Sequence, residues 1–400
     1  MPKIIQPALW LLILIAALPQ FSETVYTPSL PSVASFLNIS ESLAEYTLSI
    51  YLFGMGVGTL FWGRISDAQG RRPCLLIGTC IFIIGCFGCF LSKSIESLLL
   101  WRFIQAFGGS TGSVLGQSIA RDAFEGKERG KVFSLVGGAI SFSPAIGPVL
   151  GGLIDEFFGW NYIFTFLGLC GFFAWFFSWK DLKETHHPKL KKNKVPLLGV
   201  LKSMVTDKKI IACTSLVGGA NGLAFSYYSE GPFYLMRNLG LTPKLYGSTF
   251  ILMAICGFSG ALYSKHLHSS QPTKEIIKRG LLICLVGTSF FSAMILFLTT
   301  LYAGSPPLLI TVTLISMMIT IFGIAMTTPN VLSIALEDYE HATGTASSFL
   351  GFFYDTFTAF VTYIMGLLHN GTLYPMPIFF LLMSIFLLVI YGAILRNTSK

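Results

Sequence analysis

Charged residues are scarce in this sequence. Asp, Glu, Lys and Arg make up 12% of its 400 residues, whereas soluble proteins carry about 25%. With 53% hydrophobic residues, the chain cannot cover itself with a polar surface, so most of its surface must face lipid. The scarcity of charge therefore excludes an ordinary soluble protein and predicts an all-α membrane protein.

The sequence also lacks the residue clusters that enzymes and metalloproteins need. It contains no nucleophile–base pair, no metal-ligand cluster and no separate catalytic domain, and His186 and His187 lie in a basic, solvated linker. Cys86 and Cys89 form a CxxC inside the apolar run IFIIGCFGCFL, without a second pair. A membrane enzyme or sensor is thus disfavoured, and we expect no disulfide, no metal and no cofactor other than a proton gradient.

Long polar stretches are missing as well, apart from residues 180–209. A bilayer crossing needs about 20 mostly apolar residues. Such runs occur twelve times, near residues 8–32, 43–63, 74–92, 96–119, 132–153, 160–179, 209–235, 246–266, 276–300, 306–328, 343–368 and 374–395. No small-x-small cleavage site follows the first run, so it is interpreted as a membrane span and not as a signal peptide.

The distribution of Lys and Arg fixes the orientation of these spans. All 27 basic residues except Lys93, Arg102, Arg237 and Lys244 fall on one side of the predicted membrane. Because basic loops stay in the cytoplasm, both termini are predicted to be cytoplasmic. No basic stretch is interleaved with aromatic residues, which argues against a nucleic-acid partner in spite of the net charge of +8.

The polar stretch divides the chain into two sets of six spans. LNISESLAEY (37–46) leads into span 2 and LGLTPKLYGS (239–248) into span 8, with Ser40 or Thr242 at the N-cap position. This weak repeat suggests two parallel halves, as in the major facilitator fold. The predicted domains are a six-helix bundle over residues 1–179, a cytoplasmic basic linker over 180–208 and a second six-helix bundle over 209–400.

The loop between spans 2 and 3 reads GRISDAQGRRP, residues 63–73. Any cytoplasmic turn could have this composition, but the spacing resembles the signature loop of the major facilitator superfamily. The resemblance implies that Asp67 caps the start of span 11 and that Arg71 pairs with Asp122 at the end of span 4, which holds the cytoplasmic side closed. The residues of this predicted gate are Gly63, Asp67, Gly70, Arg71 and Asp122.

Span 5 contains SFSPAIGPVLGG, residues 141–152. Prolines and glycines are poor choices in a soluble helix, but in a membrane they permit a bend and close packing. A generic kinked span would explain them. The spacing of Gly147, Pro148, Gly151 and Gly152, however, resembles the antiporter motif of drug:proton exporters.

Span 4 carries an arginine within its apolar length. Arg102 could extend toward the membrane surface, but it shares a helix face with Gln105, and RFIQAFGG resembles a fourth-span motif whose arginine faces a central cavity. Gly108, Gly112 and Gly116 recur every four residues and provide a smooth face for a neighbouring helix.

Three acidic residues are candidates for proton coupling together with Arg102. Glu23 lies inside span 1 without a basic residue nearby, and Asp355 lies near the middle of span 11. A carboxyl group kept from water without a partner favours its neutral form and can carry a proton. In the fold that the resemblance implies, Glu23 and Arg102 meet or share a cavity. Glu230, near the outer end of span 7, is expected to be partly hydrated and ranks third.

Over nearly its full length the chain resembles the twelve-span drug:proton antiporters, in particular the Bcr/CflA and EmrD-like group. The matching stretches are YTPSLP, GRISDAQGRRP, RFIQAFGG, ARDAF, PAIGPVLGG, SEGPF and GTASS. One departure is that the first-span acid of many members would fall at Thr24, one position after Glu23. This departure leaves open whether Glu23 or Asp355 carries the proton.

The resemblance implies a monomeric transporter of the bacterial inner membrane that exports lipophilic or cationic compounds in exchange for protons by alternating access. A carrier for a specific metabolite or siderophore is the alternative. The predicted cavity residues are Gln20, Tyr26, Gln105, Asn221, Tyr227, Tyr228 and Asn330.

Overall fold

The computed structural model describes residues 6–185, 197–301 and 304–395. Within these ranges the regular structure is entirely helical. In the described part of the chain, eleven helices are long and apolar enough to cross a membrane. Ile95–Ala123 packs against the helices before and after it in the same bundle and provides a twelfth span. The predicted all-α membrane fold is confirmed.

The twelve spans follow one another along the chain. The N-terminal half contains Leu9–Leu37 (span 1), Glu41–Gln69 (span 2), Arg71–Leu91 (span 3), Ile95–Ala123 (span 4), Gly126–Phe158 (span 5) and Tyr162–Asp181 (span 6). The C-terminal half contains Lys208–Asn238 (span 7), Pro243–Leu267 (span 8), Thr273–Leu301 (span 9), Pro306–Ala335 (span 10), Thr343–Leu368 (span 11) and Pro375–Ala393 (span 12).

The predicted linker contains a helix of its own, Leu197–Thr206. Val200 and Met204 of this helix are buried against the C-terminal bundle. The end of the linker is therefore part of the second half. Residues 186–196, which include His186 and His187, lie outside the described residues.

Matching caps start span 2 and span 8. The Ser40 hydroxyl accepts a hydrogen bond from the Leu43 N–H at 3.3 Å, and the Thr242 hydroxyl accepts one from the Leu245 N–H at 3.3 Å. Each cap satisfies a backbone donor that the first helical turn leaves unpaired. The N-cap positions expected from the sequence repeat are thus both used.

The two halves contact each other mainly through two pairs of spans. Span 2 packs along span 11, and span 5 packs along span 8, while the outer ends of spans 1 and 7 meet between them. Each half also has an apolar interior of its own. The main contacts between the halves run along a few helix faces. A cavity between the halves is consequently bordered by these spans.

Glycines set the close packing of span 4 inside the N-terminal half. A Cβ at Gly112 would collide with the backbone oxygen of Ile15 in span 1, and one at Gly116 would lie 3.0 Å from the Ala16 side chain. Gly108 faces span 3 instead, where its neighbours are backbone atoms of Gly78 and Phe82. The glycine face predicted from the sequence therefore serves two neighbouring helices.

Replacing Gly112 with Ala should destabilise the N-terminal half. The added methyl group meets backbone, which cannot move aside as a flexible side chain does, so we expect a loss of about 1–3 kcal/mol. Gly138→Ala in span 5 is the matched control, because a Cβ there meets nothing within 4 Å. Thermal unfolding in detergent should give a lower Tm for Gly112→Ala only. Equal melting temperatures for the two variants would contradict this packing.

Candidate functional site

A cavity of about 370 Å³ lies between the halves. It begins near mid-membrane at Gln20 and Asn221 and extends past spans 5, 8 and 10 toward their inner portions. Aromatic and aliphatic side chains form most of its wall, among them Phe225, Tyr228 and Phe258. Three of the residues predicted to line a cavity, Gln20, Asn221 and Tyr228, do so.

The other four residues predicted to line the cavity do not border it. Tyr26 and Gln105 are buried within the N-terminal half, where Tyr26 accepts a hydrogen bond from Thr47 and Gln105 donates one to Cys86. Tyr227 packs behind Tyr228 against Phe250. Asn330 donates to Ser264 and contacts His268 in the inner part of the C-terminal half. These expectations are corrected: each residue is on the predicted helix, but its side chain points into the bundle.

Arg102 is held in an aromatic cage. It has no exposed surface, and its guanidinium carbon lies 4.1 Å from the ring centre of Tyr51 and 4.5 Å from that of Tyr26. Nη1 donates to Gln105 at 2.7 Å, and Nε donates to the backbone oxygen of Thr47 at 3.4 Å. The rings and these acceptors stabilise the cation without an ionised partner. Arg102 therefore belongs to the interior of the first half and does not face the cavity as expected.

Glu23 lies at the edge of the cavity and contacts it through Gln20. The Gln20 amide donates to Glu23 Oε2 at 2.9 Å, and Glu23 is 3% exposed. Arg102 is near enough to act on Glu23 electrostatically, but no ion pair joins the two among the described residues. The expected direct meeting of Glu23 and Arg102 is therefore not found.

Asp355 faces Glu23 across the boundary between the halves. The two carboxyl groups are close enough to interact electrostatically. Gly56 of span 2 leaves room for Asp355, since a Cβ at Gly56 would lie 3.1 Å from the Cβ of Asp355. Asp355 is half-buried, and within the described part of the chain its carboxyl group forms no hydrogen bond or ion pair. Both predicted coupling acids thus lie near one interface.

Glu230 belongs to a separate cluster at the outer end. It is 1% exposed, which corrects the expected partial hydration. His369, directly after span 11, contacts Glu230 at 2.9 Å and Glu41 at 2.8 Å, and Glu45 lies 3.6 Å from the same ring. The sequence interpretation missed Glu41, Glu45 and His369, because polar residues near helix ends are common. The spacing of Glu41 and Glu45, four residues apart on one helix face, was the available signal.

The Arg71–Asp122 pair expected from the signature loop lies within the N-terminal half. Arg71 binds Asp122 at 3.1 Å and Asp67 at 2.7 Å. Gly70 has a φ of 103°, a backbone conformation that disfavours other residues. Glu184, which the sequence did not indicate, accepts hydrogen bonds from the backbone N–H groups of Arg71 and Arg72. Gly63 faces Ser348 of span 11.

The expected capping of span 11 by Asp67 involves residues whose side chains are not described. The side chains at the start of that span, residues 340–344, lie outside the described residues. In the described part of the chain, Asp67 pairs with Arg71. The Arg71 network therefore joins spans 2, 3 and 4 of one half.

The span 5 motif brings backbones together on two sides. Gly147 and Gly151 pack on Thr24 and Val25 of span 1, so a Cβ at either position would collide with that helix. Gly152 packs on the Pro243 backbone of span 8, and Gly247 of span 8 packs on the Pro148 backbone. The motif thus closes the outer portion of the interface between the halves, and the cavity lies on its inner side.

Comparison with known proteins agrees with this architecture. The sequence profile of the Major Facilitator Superfamily matches residues 12–362. The chain is 32% identical over 382 residues to an uncharacterized transporter of Rickettsia bellii, which covers 94% of this chain and 93% of the relative. A bicyclomycin resistance protein homolog of Haemophilus influenzae is 27% identical over 84% of this chain and 83% of its own. The structure of the POT family transporter PepTSo aligns with a TM-score of 0.78 at 14% identity, over 98% of this chain and 99% of that one.

Arg102→Lys should destabilise the N-terminal half. A lysine retains the charge, but it cannot present the planar guanidinium to two rings while donating to Gln105. We expect a lower Tm, equivalent to about 2 kcal/mol for a desolvated cation–aromatic contact. Arg121→Lys, at the exposed inner end of the same helix, serves as the control and should leave the Tm unchanged. A Tm for Arg102→Lys equal to that of the parent protein would show that the cage contributes nothing.

Proposed function

The chain belongs to the major facilitator superfamily, and on that basis we propose that it exports lipophilic, neutral or cationic small molecules in exchange for protons. It works by alternating access, as a monomer in the bacterial inner membrane. The observation that carries this proposal is a buried acid, Glu23, hydrogen-bonded to Gln20 at the wall of an apolar cavity between the two halves.

The composition of the cavity supports a lipophilic cargo. Phe142, Phe225, Tyr228, Phe250 and Phe258 offer ring faces, and the few polar groups include Gln20 and Asn221. Ring faces attract cations as well as apolar surface. A sugar or another polar metabolite would leave its hydroxyl groups largely unpaired in this wall. The alternative of a carrier for one polar metabolite is thereby disfavoured.

Glu23 and Asp355 supply the coupling in this proposal. If both were ionised, the two carboxylates would repel each other across the interface. Arg102 acts on Glu23 from a distance, but neither acid forms an ion pair among the described residues. A proton on either acid removes this cost, and a cationic cargo near Glu23 would do the same. Proton and cargo therefore compete, so that loading one favours the release of the other.

The direction of transport rests on span 5 and on the relatives. The glycine contacts of span 5 form the outer closure of the cavity, and they belong to the motif that resembles that of exporters. The name of the Haemophilus influenzae relative, a bicyclomycin resistance protein homolog, supports export of inhibitory compounds for this chain too.

Proteoliposomes with an imposed pH gradient test the function. Purified protein is reconstituted, the gradient is set with the outside acidic or the inside acidic, and uptake of several radiolabelled lipophilic cations is followed. Exchange predicts that each compound moves against the proton flow and that collapse of the gradient stops accumulation. Flux of a single polar metabolite, with none of the drug-like compounds moving, would identify the alternative carrier.

Glu23→Gln should abolish the proton release that accompanies binding of a cationic cargo to the detergent-solubilised protein. The amide keeps the shape of the acid and its contact with Gln20 but has no proton to exchange. If Asp355 shares the coupling, Asp355→Asn reduces the released protons as well. A pH-indicator dye in weakly buffered solution measures the release. Glu96→Gln, an exposed acid at the outer end of span 4, should release as many protons as the parent. Undiminished release from both Glu23→Gln and Asp355→Asn would refute the coupling assignment.

Tyr228 and Tyr227 form a matched pair for the cavity wall. Tyr228→Leu removes a ring that borders the cavity and should raise the Kd for an aromatic cation about tenfold, which corresponds to about 1.4 kcal/mol. Tyr227→Leu removes a ring that packs behind the wall, so it should lower the Tm with little change in Kd. Tryptophan fluorescence quenching by the ligand gives both affinities. The reverse pattern would mean that the cavity is not the binding site.

A further inference from the structure

Three spans from both halves bring ionisable groups together at the outer end of the interface. Span 2 of the first half contributes Glu41 and Glu45, span 7 contributes Glu230, and His369 directly follows the last residue of span 11. Arg237, at the end of span 7, binds Glu41 at 2.5 Å from the exposed rim. We call these five residues the outer cluster. It lies away from the cavity and has no part in the exchange described above.

Both ring nitrogens of His369 point at carboxyl groups. Nε2 lies 2.8 Å from Glu41 Oε2, and Nδ1 lies 2.9 Å from Glu230 Oε2. An ionised carboxylate can only accept a hydrogen bond, so both nitrogens must carry hydrogen for both contacts to be favourable. The distances are those of charge-assisted hydrogen bonds. The contacts therefore fit an imidazolium between two ionised carboxylates.

One oxygen of Glu45 has no donor. Its Oε2 accepts from the Ser229 hydroxyl at 3.0 Å, but Oε1 is buried and without a hydrogen-bond donor among the described residues. His369 Nδ1 lies 3.6 Å from Oε1, beyond hydrogen-bond distance. A carboxylate oxygen of Glu45 lies within 4.8 Å of one of Glu230. Two ionised carboxylates would repel each other at this separation, whereas a proton on Glu45 removes the repulsion. A protonated Glu45 thus removes both this repulsion and the charge on a buried oxygen that has no donor.

The charges of the outer cluster balance with these two protons. Glu41 and Glu230 are then anions, Arg237 and His369 are cations, and Glu45 is neutral. The other titratable groups that face the cluster are the hydroxyls of Tyr46 and Tyr234, which bring no charge. Without the two protons, three carboxylates would face a single arginine in a mostly buried site, which is costly.

We propose that the outer cluster is a two-proton binding site that closes the outer side of the protein, with one proton on His369 and one on Glu45. Opening must separate Glu41 and Glu45 from Glu230 and His369, because these pairs belong to different halves. Water then hydrates the carboxylates, and the protons leave. A higher external proton concentration therefore favours the closed outer side, whichever cargo the cavity takes.

Pulsed electron spin resonance between the halves tests this proposal without cargo or gradient. Nitroxide labels are attached at Lys93→Cys and Lys244→Cys, two exposed outer positions in different halves, after Cys80, Cys170 and Cys256 are replaced with Ala. Distance distributions are recorded in nanodiscs between pH 5.5 and pH 9, with a chelator present. The closed state binds more protons, so the long-distance population should grow as the pH rises. Two protons allow up to about a hundredfold change in the open-to-closed ratio per pH unit.

Substitutions distinguish the contribution of the proton on Glu45 from that of the proton on His369. Glu45→Gln carries a neutral donor in place of the protonated acid, so its outer side should remain closed to higher pH. Its open-to-closed ratio should change at most about tenfold per pH unit. His369→Asn removes the cation and should open at lower pH than the parent. Glu96→Gln, an exposed acid at the same outer side, should behave as the parent does. Size-exclusion chromatography of each labelled variant verifies that it is folded.

Three results would overturn the proposal. Distances that do not change with pH would remove the proton site, and an unchanged slope in Glu45→Gln would remove Glu45 from it. Glu45, Glu230 and His369 also have possible ligand atoms within 4.8 Å of one another. If closure at pH 8 requires added zinc and is reversed by the chelator, the outer cluster is a metal site instead. Because no transport is measured, these outcomes are independent of whether export itself is observed.

Discussion

The cost of keeping charge away from water governs the arrangement of this protein. An ionised side chain at the centre of a membrane helix costs roughly 2.5–3.5 kcal/mol even on lenient scales. Arg102 meets that cost with two tyrosine rings and two acceptors, and the outer cluster meets it with pairs of opposite charge. Of the acids that face the boundary between the halves in the described structure, Glu23 and Asp355 lack such partners. The protonation states of Glu23 and Asp355 are therefore the most sensitive to a movement of the two halves.

The closure of the outer side combines two contacts of different kinds. The glycines of spans 5 and 8 bring backbones together, which excludes water without using charge. The outer cluster, which joins span 2 to spans 7 and 11, depends on ionised groups and on how many protons they hold. Outward opening has to break both. The Arg71 network lies within one half, so the halves can separate at the outer side without disturbing it.

Position relative to the boundary between the halves decides what each acid can do. Asp122 and Asp67 bind Arg71 inside a bundle and remain paired as that bundle moves. Glu23 and Asp355 belong to different halves, so a movement of the halves changes their mutual repulsion directly. Charge and conformation are thereby coupled through a single interface, which is the physical basis of the proposed exchange.

Much of the fold could be read from the sequence, because lipid imposes simple rules on a chain. Apolar runs of sufficient length gave the spans, Lys and Arg gave the orientation, and Ser40 and Thr242 marked equivalent helix starts. The pair Arg71–Asp122 and three of the cavity residues were also predicted, since short loops and polar side chains in apolar helices leave few alternatives. The direction in which each side chain points from its helix was harder to predict from the sequence. Tyr26, Gln105 and Tyr227 are on the predicted spans but point away from the cavity.

The sequence by itself determined that this chain crosses the membrane twelve times in two halves and carries acids at its centre. Only the tertiary structure decided which of those acids face each other, and that Glu41, Glu45, Glu230 and His369 form one cluster. These residues are far apart along the chain and individually ordinary at helix ends. Their chemistry arises from proximity across the interface, and that proximity depends on how whole helices pack and not on any local pattern.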